Sequence, residues 1–130
     1  MQIVVDASAI LAVLLNETTR PAIIEATTGM EAISPSSLPW EVGNALSANV
    51  KRKRLTTEQA VQAAQAYQKI SVRLIDVDIE QAIRISNELN LYAYDAYILL
   101  CAFILKAPLL CLDKQMENLA KGMGIKTIEV

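Results

Sequence analysis

The sequence predicts an α/β fold, in which a central parallel sheet of about five strands is covered by helices on both faces. Three observations predict it. Short apolar segments typical of buried strands alternate with helical segments along the whole chain. The 130 residues match the usual size of one domain, and 53% of them are apolar, which is enough for a full core. No linker or internal repeat divides the chain, so we predict a single domain over residues 1–130.

The first part of the chain contains two predicted strands and two predicted helices. Residues 2–6 (QIVVD) are a continuous apolar run that ends in a polar residue, which suits a strand buried on both faces. Residues 8–15 follow as an apolar helix. Residues 20–27 are a second helix with Pro21 in its first turn, where a missing N–H costs little. Residues 31–34 then make a brief strand.

The middle of the chain repeats this alternation. Residues 35–37 (PSS) start a helix over 38–52, where the apolar residues have near-helical spacing. Another helix, capped by a threonine and rich in alanine, extends over 56–70. Residues 72–77 (VRLIDV) are predicted as a strand, and a helix follows at 79–90.

The last part begins with a helix that is apolar on nearly every side, over residues 94–105, which indicates a helix packed in the middle of the protein. Residues 109–113 (LLCLD) have the same design as the first strand: apolar residues and then an aspartate. A helix at 114–121 and a closing strand at 125–130 complete the alternation, which favours a parallel sheet with right-handed crossovers.

The composition excludes several kinds of catalytic site. The chain has no histidine, so a Ser-His-Asp triad, a Cys-His dyad and a histidine-ligated zinc site are all impossible. Cys101 and Cys111 are too few for a structural zinc site, and both lie in apolar segments, where we expect buried thiols. Any chemistry must therefore come from carboxylates, hydroxyls, amides or a metal held by oxygen.

We expect a soluble, cytoplasmic protein without a membrane segment. The longest apolar run, residues 96–105, is far shorter than the ~20 residues needed to span a bilayer. The N-terminal segment has no basic region of the kind that begins a signal peptide.

Two predicted strands end in an aspartate, at Asp6 and at Asp113. In open parallel sheets, ligands bind beyond the carboxyl ends of the strands. If the two strands are neighbours, both carboxylates emerge side by side at one edge of the sheet. Either aspartate taken alone is explained equally well as the N-cap of the helix that follows it.

Two further acids lie in apolar surroundings. Asp95 opens a helix whose next ten residues carry no charge, and capping also explains an aspartate there. Desolvating its carboxylate costs several kcal/mol unless a cation or hydrogen-bond donors compensate. Glu41 lies in an otherwise apolar helical segment, with Asn44 one turn later on the same face. The glutamates with polar neighbours are expected on the solvated surface: Glu31, Glu58, Glu80, Glu88 and Glu117.

Four converging acids would repel one another strongly. Two carboxylates about 4 Å apart, at an effective dielectric constant of about 20, repel by about 4 kcal/mol. A hard divalent cation, Mg²⁺ or Mn²⁺, held by oxygen ligands and water would balance this charge. Such a cation suits phosphoryl chemistry, because it polarises a phosphoryl oxygen and lowers the pKa of a bound water.

Over essentially its full length the chain resembles the PIN domain family, and within it the VapC-type toxins of prokaryotic toxin–antitoxin pairs. Each motif that carries the resemblance is weak alone, but their order and separations make the set specific. The motifs are the opening strand with Asp6-Ala7-Ser8, Glu41 with Asn44 and Leu46, Tyr94-Asp95-Ala96-Tyr97 before an apolar helix, and the strand ending at Asp113.

The resemblance implies a three-layer α/β/α sandwich and a ribonuclease that depends on Mg²⁺ or Mn²⁺. The family's acidic quartet, catalytic and metal-binding, would be Asp6, Glu41, Asp95 and Asp113. Asp6 and Asp95 would be the most direct metal ligands, and the other two would act through water or hold a second ion. Ser8 would place a hydroxyl near the metal-bound water, and Asn44 would support Glu41. The implied reaction is hydrolysis of RNA by a metal-activated water, leaving a 5′-phosphate and a 3′-hydroxyl.

The resemblance also implies partners. A small antitoxin would inhibit the toxin, and its basic tail could place an arginine among the acids. The mean hydropathy of +0.31 is compatible with further apolar surface buried in a homodimer.

For the RNA substrate, the basic run Lys51-Arg52-Lys53-Arg54 is either a backbone contact or a solvated helix C-terminus. Tyr92, Tyr94 and Tyr97 either stack on bases or pack in the core.

Three other interpretations remain to be weighed. A receiver domain requires paired acids near the first strand end, but Val5 precedes Asp6. A haloacid-dehalogenase phosphatase requires two aspartates flanking one residue, but position 8 is serine. The serious rival is a PIN-like fold with weak catalysis that serves as an RNA-binding or partner-binding module.

Overall fold

The structure, a computed structural model, describes residues 1–130. Its five strands are β1 (Gln2–Val5), β2 (Glu31–Pro35), β3 (Arg73–Ile75), β4 (Leu109–Leu110) and β5 (Thr127–Ile128). Its seven helices are α1 (Ala7–Leu14), α2 (Arg20–Thr27), α3 (Leu38–Lys51), α4 (Thr57–Tyr67), α5 (Ile79–Leu89), α6 (Ala93–Leu105) and α7 (Lys114–Gly122). The predicted alternation of strands and helices is confirmed, with every predicted element in its place.

All five strands run parallel in the order β3-β2-β1-β4-β5. β1 is central, and its Val4 pairs with Ile33 of β2 on one side and Leu109 of β4 on the other. The chain first builds outward from β1 to β2 and β3, and then returns to place β4 and β5 on the opposite side. The point where strand order reverses therefore lies between β1 and β4, the two strands that precede Asp6 and Asp113.

The sheet is the middle of three layers. Ile3 and Val5 of β1 pack against a core built from α1, α2, α3 and α4. Val4, which points to the other face, packs in a second core with residues of α6 and α7. α5 lies against α6 through Ala82 and Leu100. This arrangement confirms the predicted α/β/α architecture and buries both faces of the sheet.

Several strands are shorter than the sequence predicts. β3, an edge strand with a partner on one side only, pairs over three residues rather than six. β4 ends at Leu110, because the chain turns there toward Asp113, the N-cap of α7. Pro35 belongs to β2 instead of starting α3, whose N-cap is Ser37.

The predicted helix ends have clear chemical causes. Thr56 caps α4 in a capping box: its Oγ1 accepts a hydrogen bond of 3.1 Å from Gln59 N, and its own N–H donates one of 2.9 Å to Gln59 Oε1. Asn90 ends α5 in the left-handed conformation, with φ of 54°, which asparagine tolerates better than most residues.

Both cysteines are free and buried, as predicted. Burial raises the pKa of the Cys101 thiol to about 11 and that of the Cys111 thiol to about 12, so neither is a reactive thiolate near neutral pH. None of the seven helices alone has the length and apolar content to cross a bilayer; α5 and α6 meet the criterion only as a pair, bent by 111°.

Candidate active site

Asp6 and Asp113 lie at the same edge of the sheet. Asp6 directly follows Val5, the last residue of β1, and Val5 pairs with Leu110 of β4. Asp113 comes three residues after Leu110, at the start of α7. The parallel pairing of β1 and β4 thus brings both aspartates to the carboxyl end of the sheet.

Both aspartates also cap the helices that follow them. Asp6 Oδ1 accepts a hydrogen bond of 3.1 Å from Ala9 N. Asp113 Oδ1 accepts bonds of 2.9 Å from Gln115 N and 3.4 Å from Met116 N. In each case Oδ2 has no hydrogen-bond partner within the protein. Capping fixes each carboxylate in place and leaves one oxygen atom free for a ligand.

Asp95 lies in the first turn of α6 but does not cap it. The N-cap is Tyr92, whose side chain makes no capping hydrogen bond, and Asp95 itself has no hydrogen-bond partner in the protein. The capping interpretation of Asp95 is therefore wrong. A half-buried carboxylate without a donor is costly in the absence of a ligand.

Glu41 lies in the first turn of α3 and is half-buried. Its Oε1 accepts a hydrogen bond of 3.3 Å from Ser37 Oγ. Asn44 is exposed and forms no hydrogen bond with Glu41, so the partner of Glu41 in this structure is Ser37 rather than Asn44. Serine one turn before an acid at the start of a helix is the sequence signal that could have revealed this contact.

The four carboxylates are close enough for their charges to act on one another. Burial, together with the charges of Asp95 and Asp113, raises the pKa of Asp6 to about 6, although the hydrogen bonds from Ser8 and Ala9 act to lower it. Burial likewise raises the pKa of Glu41 to about 7, with smaller contributions from Asp6 and Asp95. Burial and the charge of Asp113 raise the pKa of Asp95. Asp6, Glu41 and Asp95 are thus each less acidic than they would be alone in water.

Nothing in the protein neutralises this negative charge. The three ion pairs of the chain involve Glu31, Glu117 and Glu129 as their acids, and no lysine or arginine pairs with a member of the quartet. The donor set of carboxylate oxygens fits a hard divalent cation. However, no three acidic or cysteine side chains are near enough to ligate one ion together. The carboxylates therefore suit a divalent cation in donor type and in charge, and water ligands would have to complete its coordination.

A family model of the PIN domain matches residues 3–122. The chain belongs to the PIN domain family. PIN domains are typically nucleases and generally use divalent metal ions. No curated protein matches the sequence.

Solved structures share the fold of this PIN domain. The protein PAE2754 from Pyrobaculum aerophilum is 21% identical, with a TM-score of 0.69 over 95% of this chain and 97% of that one. VapBC2 from Rickettsia felis, bound to a DNA fragment from its promoter, is 12% identical, with a TM-score of 0.67 over 98% of each chain. The PilT N-terminus domain protein SSO1118 from the hyperthermophilic archaeon Sulfolobus solfataricus is 17% identical, with a TM-score of 0.53 over 98% of this chain and 86% of that one.

The basic run of this PIN domain is not part of the acidic site. Lys51, Arg52, Lys53 and Arg54 are all exposed at the end of α3 and form no ion pair. Glu41 lies ten residues earlier on the same helix, which corresponds to about 15 Å along its axis. The run therefore lies at the opposite end of α3 from Glu41.

The tyrosines near Asp95 are more exposed than core packing would require. Tyr92 is 87% exposed and Tyr94 is 54% exposed, whereas Tyr97 is half-buried. The rings of Tyr94 and Tyr97 meet edge to face, with centroids 5.9 Å apart. Tyr92 and Tyr94 are thus available for stacking.

Glu117 departs from the prediction of a solvated surface residue. It is buried, with 5% of its surface exposed, and pairs with Lys114 at 3.5 Å. The cause is the packing of α7, because the neighbouring Met116 and the later Ala120 face the core and draw this side of the helix inward. Polar sequence neighbours did not reveal this burial.

Proposed function

We propose that this PIN domain is an endoribonuclease that depends on Mg²⁺ or Mn²⁺ and hydrolyses RNA phosphodiester bonds. The observation that carries the proposal is the placement of Asp6 and Asp113 at the carboxyl ends of neighbouring strands, with Asp95 and Glu41 near Asp6 and no lysine or arginine paired with any of the four. Such an arrangement is unfavourable in a purely structural role, because burying like charges costs free energy that a bound divalent cation would recover.

The chain's own residues would hold the cation and the reacting groups. Asp6 and Asp95 would be the direct ligands, while Glu41 and Asp113 would bind through water. Ser8 donates a hydrogen bond of 2.7 Å to Asp6 Oδ1 and so orients that carboxylate rather than lying free. The bound cation would supply Lewis-acid activation of a water molecule and stabilise the departing 3′-oxygen. No side chain here needs to act as a covalent nucleophile.

Substrate RNA would be single-stranded near the cut. Tyr92 and Tyr94 offer exposed rings for base stacking. The basic run over residues 51–54 would contact phosphates away from the cut, which suits a protein whose net charge of −2 gives little general attraction for RNA.

We further propose that the protein is the toxin of a toxin–antitoxin pair. Support comes from the shared fold of VapBC2, which was solved bound to promoter DNA. An apolar cavity of about 210 Å³ between α1 and α2, lined by Ile10, Val13, Ile23 and Ile24 among others, is suited to apolar side chains of a small antitoxin. A basic antitoxin tail would then pair with the acids. A homodimer and a cytoplasmic location complete this proposal.

Cleavage of a generic single-stranded RNA tests the enzymatic proposal. We expect cutting with Mg²⁺ or Mn²⁺, none with EDTA, and loss of cutting in Asp6→Asn and Asp95→Asn. Glu88→Gln, which removes an exposed acid of α5, is the matched control and should cut like the wild type. Cutting that survives both aspartate substitutions would remove the proposal. RNA binding without metal-dependent cutting would favour the alternative of a binding module.

Expression in a host cell tests the toxin proposal. We expect growth arrest that requires Asp6 and that is relieved by co-expression of a small protein encoded beside this gene. Light scattering during size-exclusion chromatography measures the oligomeric state. If host cells grow normally while they express a protein that cuts RNA in vitro, the toxin proposal is overturned and the nuclease proposal stands.

A further inference from the structure

A cavity of about 530 Å³ opens at the carboxyl ends of β2 and β3. Its volume is in the range of about 300–1,000 Å³ typical of small-molecule sites. Its lining includes the aromatic rings of Trp40 and Tyr97 and the polar side chains of Ser36, Ser37 and Asp76. No lysine or arginine lines it.

The cavity adjoins the acidic site on the side of Glu41. Ser37, which lines the cavity, donates the hydrogen bond that Glu41 accepts. Trp40 immediately precedes Glu41 on α3, and Tyr97 follows Asp95 by two residues on α6. A substrate held by the acids would therefore extend directly into this space.

We propose that the cavity binds one base of the RNA substrate next to the cut and that it selects guanine. This inference rests on the proposed RNA-cleaving function and names its base preference. Phosphate is disfavoured in the cavity, because Asp76 adds a negative charge and no lysine or arginine of the lining offsets it. The base, rather than the backbone, is thus the part of the nucleotide that suits it.

Trp40 provides the stacking surface. Its indole is 74% exposed, while Leu38 and Val42 on either side of it in the sequence are buried. A large exposed ring at the wall of a cavity is the usual platform on which unpaired bases stack, and stacking alone does not distinguish one base from another. Selectivity must come from the polar groups.

Both serine hydroxyls of the cavity donate to acids of the protein, so the serine and aspartate side chains offer mainly acceptors to a ligand. Ser36 Oγ uses its hydrogen to donate to Asp76 Oδ1 at 2.7 Å, and Ser37 uses its hydrogen for Glu41. Asp76 Oδ2 has no partner in the protein. Among the four bases, guanine alone presents two adjacent donors, N1–H and N2–H, on its Watson–Crick edge, and a carboxylate can accept from both. The other bases place an acceptor beside each donor.

Trp40 is the only tryptophan in the chain, so its fluorescence reports directly on the cavity. We expect GMP to quench it at concentrations about tenfold lower than AMP, CMP or IMP, since IMP lacks only the 2-amino group. Asp76→Asn keeps the hydrogen bond from Ser36 but replaces the second oxygen by an amide, and should remove the preference. Glu88→Gln should keep it. The wild-type comparison of GMP with IMP stands even if the variant fails to fold.

RNA oligonucleotides that differ at a single position, guanosine or inosine, provide the second readout. We expect the wild type to show a KM about tenfold lower for guanosine and Asp76→Asn to show no difference. Suppose that RNA cutting depends on Asp6 but that Trp40 fluorescence responds equally to GMP, AMP, CMP and IMP. This result would overturn the guanine pocket and leave the proposed nuclease activity standing. Selective GMP binding by a protein that cuts no RNA would support the guanine pocket and overturn the proposed nuclease activity. If the Trp40 emission changes with protein concentration but not with nucleotide, a second copy of the chain covers the cavity. That result would also overturn the guanine pocket.

Discussion

The hydroxyl of Ser8 donates a hydrogen bond of 2.7 Å to Oδ1 of Asp6. The hydroxyl oxygen of Ser8 in turn accepts a bond of 3.3 Å from the backbone N–H of Leu112, next to Asp113. Ser8 therefore connects the first turn of α1 to the segment that carries the other strand-end aspartate. It fixes the orientation of Asp6 and leaves Oδ2 without a partner.

Replacing Ser8 should weaken metal-dependent cleavage without abolishing it. In Ser8→Ala the Asp6 carboxylate keeps its bond from Ala9 but loses its side-chain donor, so we expect a loss of about 10- to 100-fold in metal affinity or activity. Initial rates measured against Mn²⁺ concentration report both quantities. Ser47→Ala, at an exposed position of α3, is the control. If the initial rate of Ser8→Ala depends on Mn²⁺ concentration as in the wild type, Ser8 has a structural role and does not position the Asp6 carboxylate for metal binding.

Asp6→Asn should stabilise the metal-free protein while removing its activity. The pKa of Asp6 is raised from 3.8 to about 6 by burial, so ionising it at pH 8 costs the folded state about 2–3 kcal/mol relative to the unfolded chain. Asparagine carries no charge and is an equally good N-cap. Denaturant unfolding at pH 8 measures the gain. Asp78→Asn, at the exposed N-cap of α5, should change the free energy of unfolding little. A destabilised Asp6→Asn would contradict the prediction.

The stability of the metal-free protein should fall as pH rises. The pKa values of Asp6 and Glu41 are raised from 3.8 and 4.5 to about 6 and 7, so the folded state holds more protons than the unfolded chain between about pH 4 and pH 7. The free energy of unfolding is therefore highest near pH 4 with respect to these groups, falls through pH 7 and stays lowered above it. Thermal unfolding in EDTA across this range measures the effect, and a rise in stability with pH would contradict it.

Divalent metal should reverse that loss at high pH only. At pH 8 the carboxylates are ionised, and Mn²⁺ at 100 times its Kd would stabilise the folded state by about 2.7 kcal/mol. At pH 5 protons compete, so the increase in Tm should largely disappear. Asp95→Asn, which removes one proposed ligand, should show a smaller increase at pH 8. An equal increase in Tm at both pH values would mean that the ion binds elsewhere.

Much of the fold follows from local sequence patterns. The apolar run before Asp6 and its counterpart before Asp113 are recognisable in the sequence as buried strands, whereas their adjacency is a condition that only the observed strand order meets. The four acids of the quartet are indicated by strand ends and apolar surroundings in the sequence, whereas their roles as metal ligands come from the resemblance and stay a prediction.

Contacts set by tertiary packing were not predictable in this way. The bond from Ser36 to Asp76 joins residues 40 positions apart, across the ends of β2 and β3. The burial of Glu117 depends on which side of α7 faces the core, and a helix bounded by charged residues gives little indication of that. Short-range rules constrain elements and their ends, whereas side-chain partners across the sheet need the packed structure.

Removing the hydroxyl of Ser37 should shift the acid limb of the pH–rate profile. The bond from Ser37 lowers the pKa of Glu41, so Ser37→Ala should raise that pKa further above its usual value of 4.5. Because the ionised carboxylate is the active form, the rise in kcat/KM should then occur at higher pH. Profiles of the wild type, Ser37→Ala and Ser47→Ala measure the shift. Superimposable profiles would exclude Glu41 from the rate-determining ionisation.

Neutralising the basic run should alter RNA binding but not the chemistry. A variant with glutamine at positions 51–54 loses up to four phosphate contacts, each worth about 0.7 in the slope of log affinity against log salt for a single strand. We expect a higher KM for long RNA, a reduced salt dependence and an unchanged kcat. Lys69→Gln, at an exposed site after α4, should leave the slope as in the wild type. If the four-residue variant keeps the full slope, the run serves only as the favourable cationic end of α3, because cations there interact with the helix dipole whether or not RNA is bound.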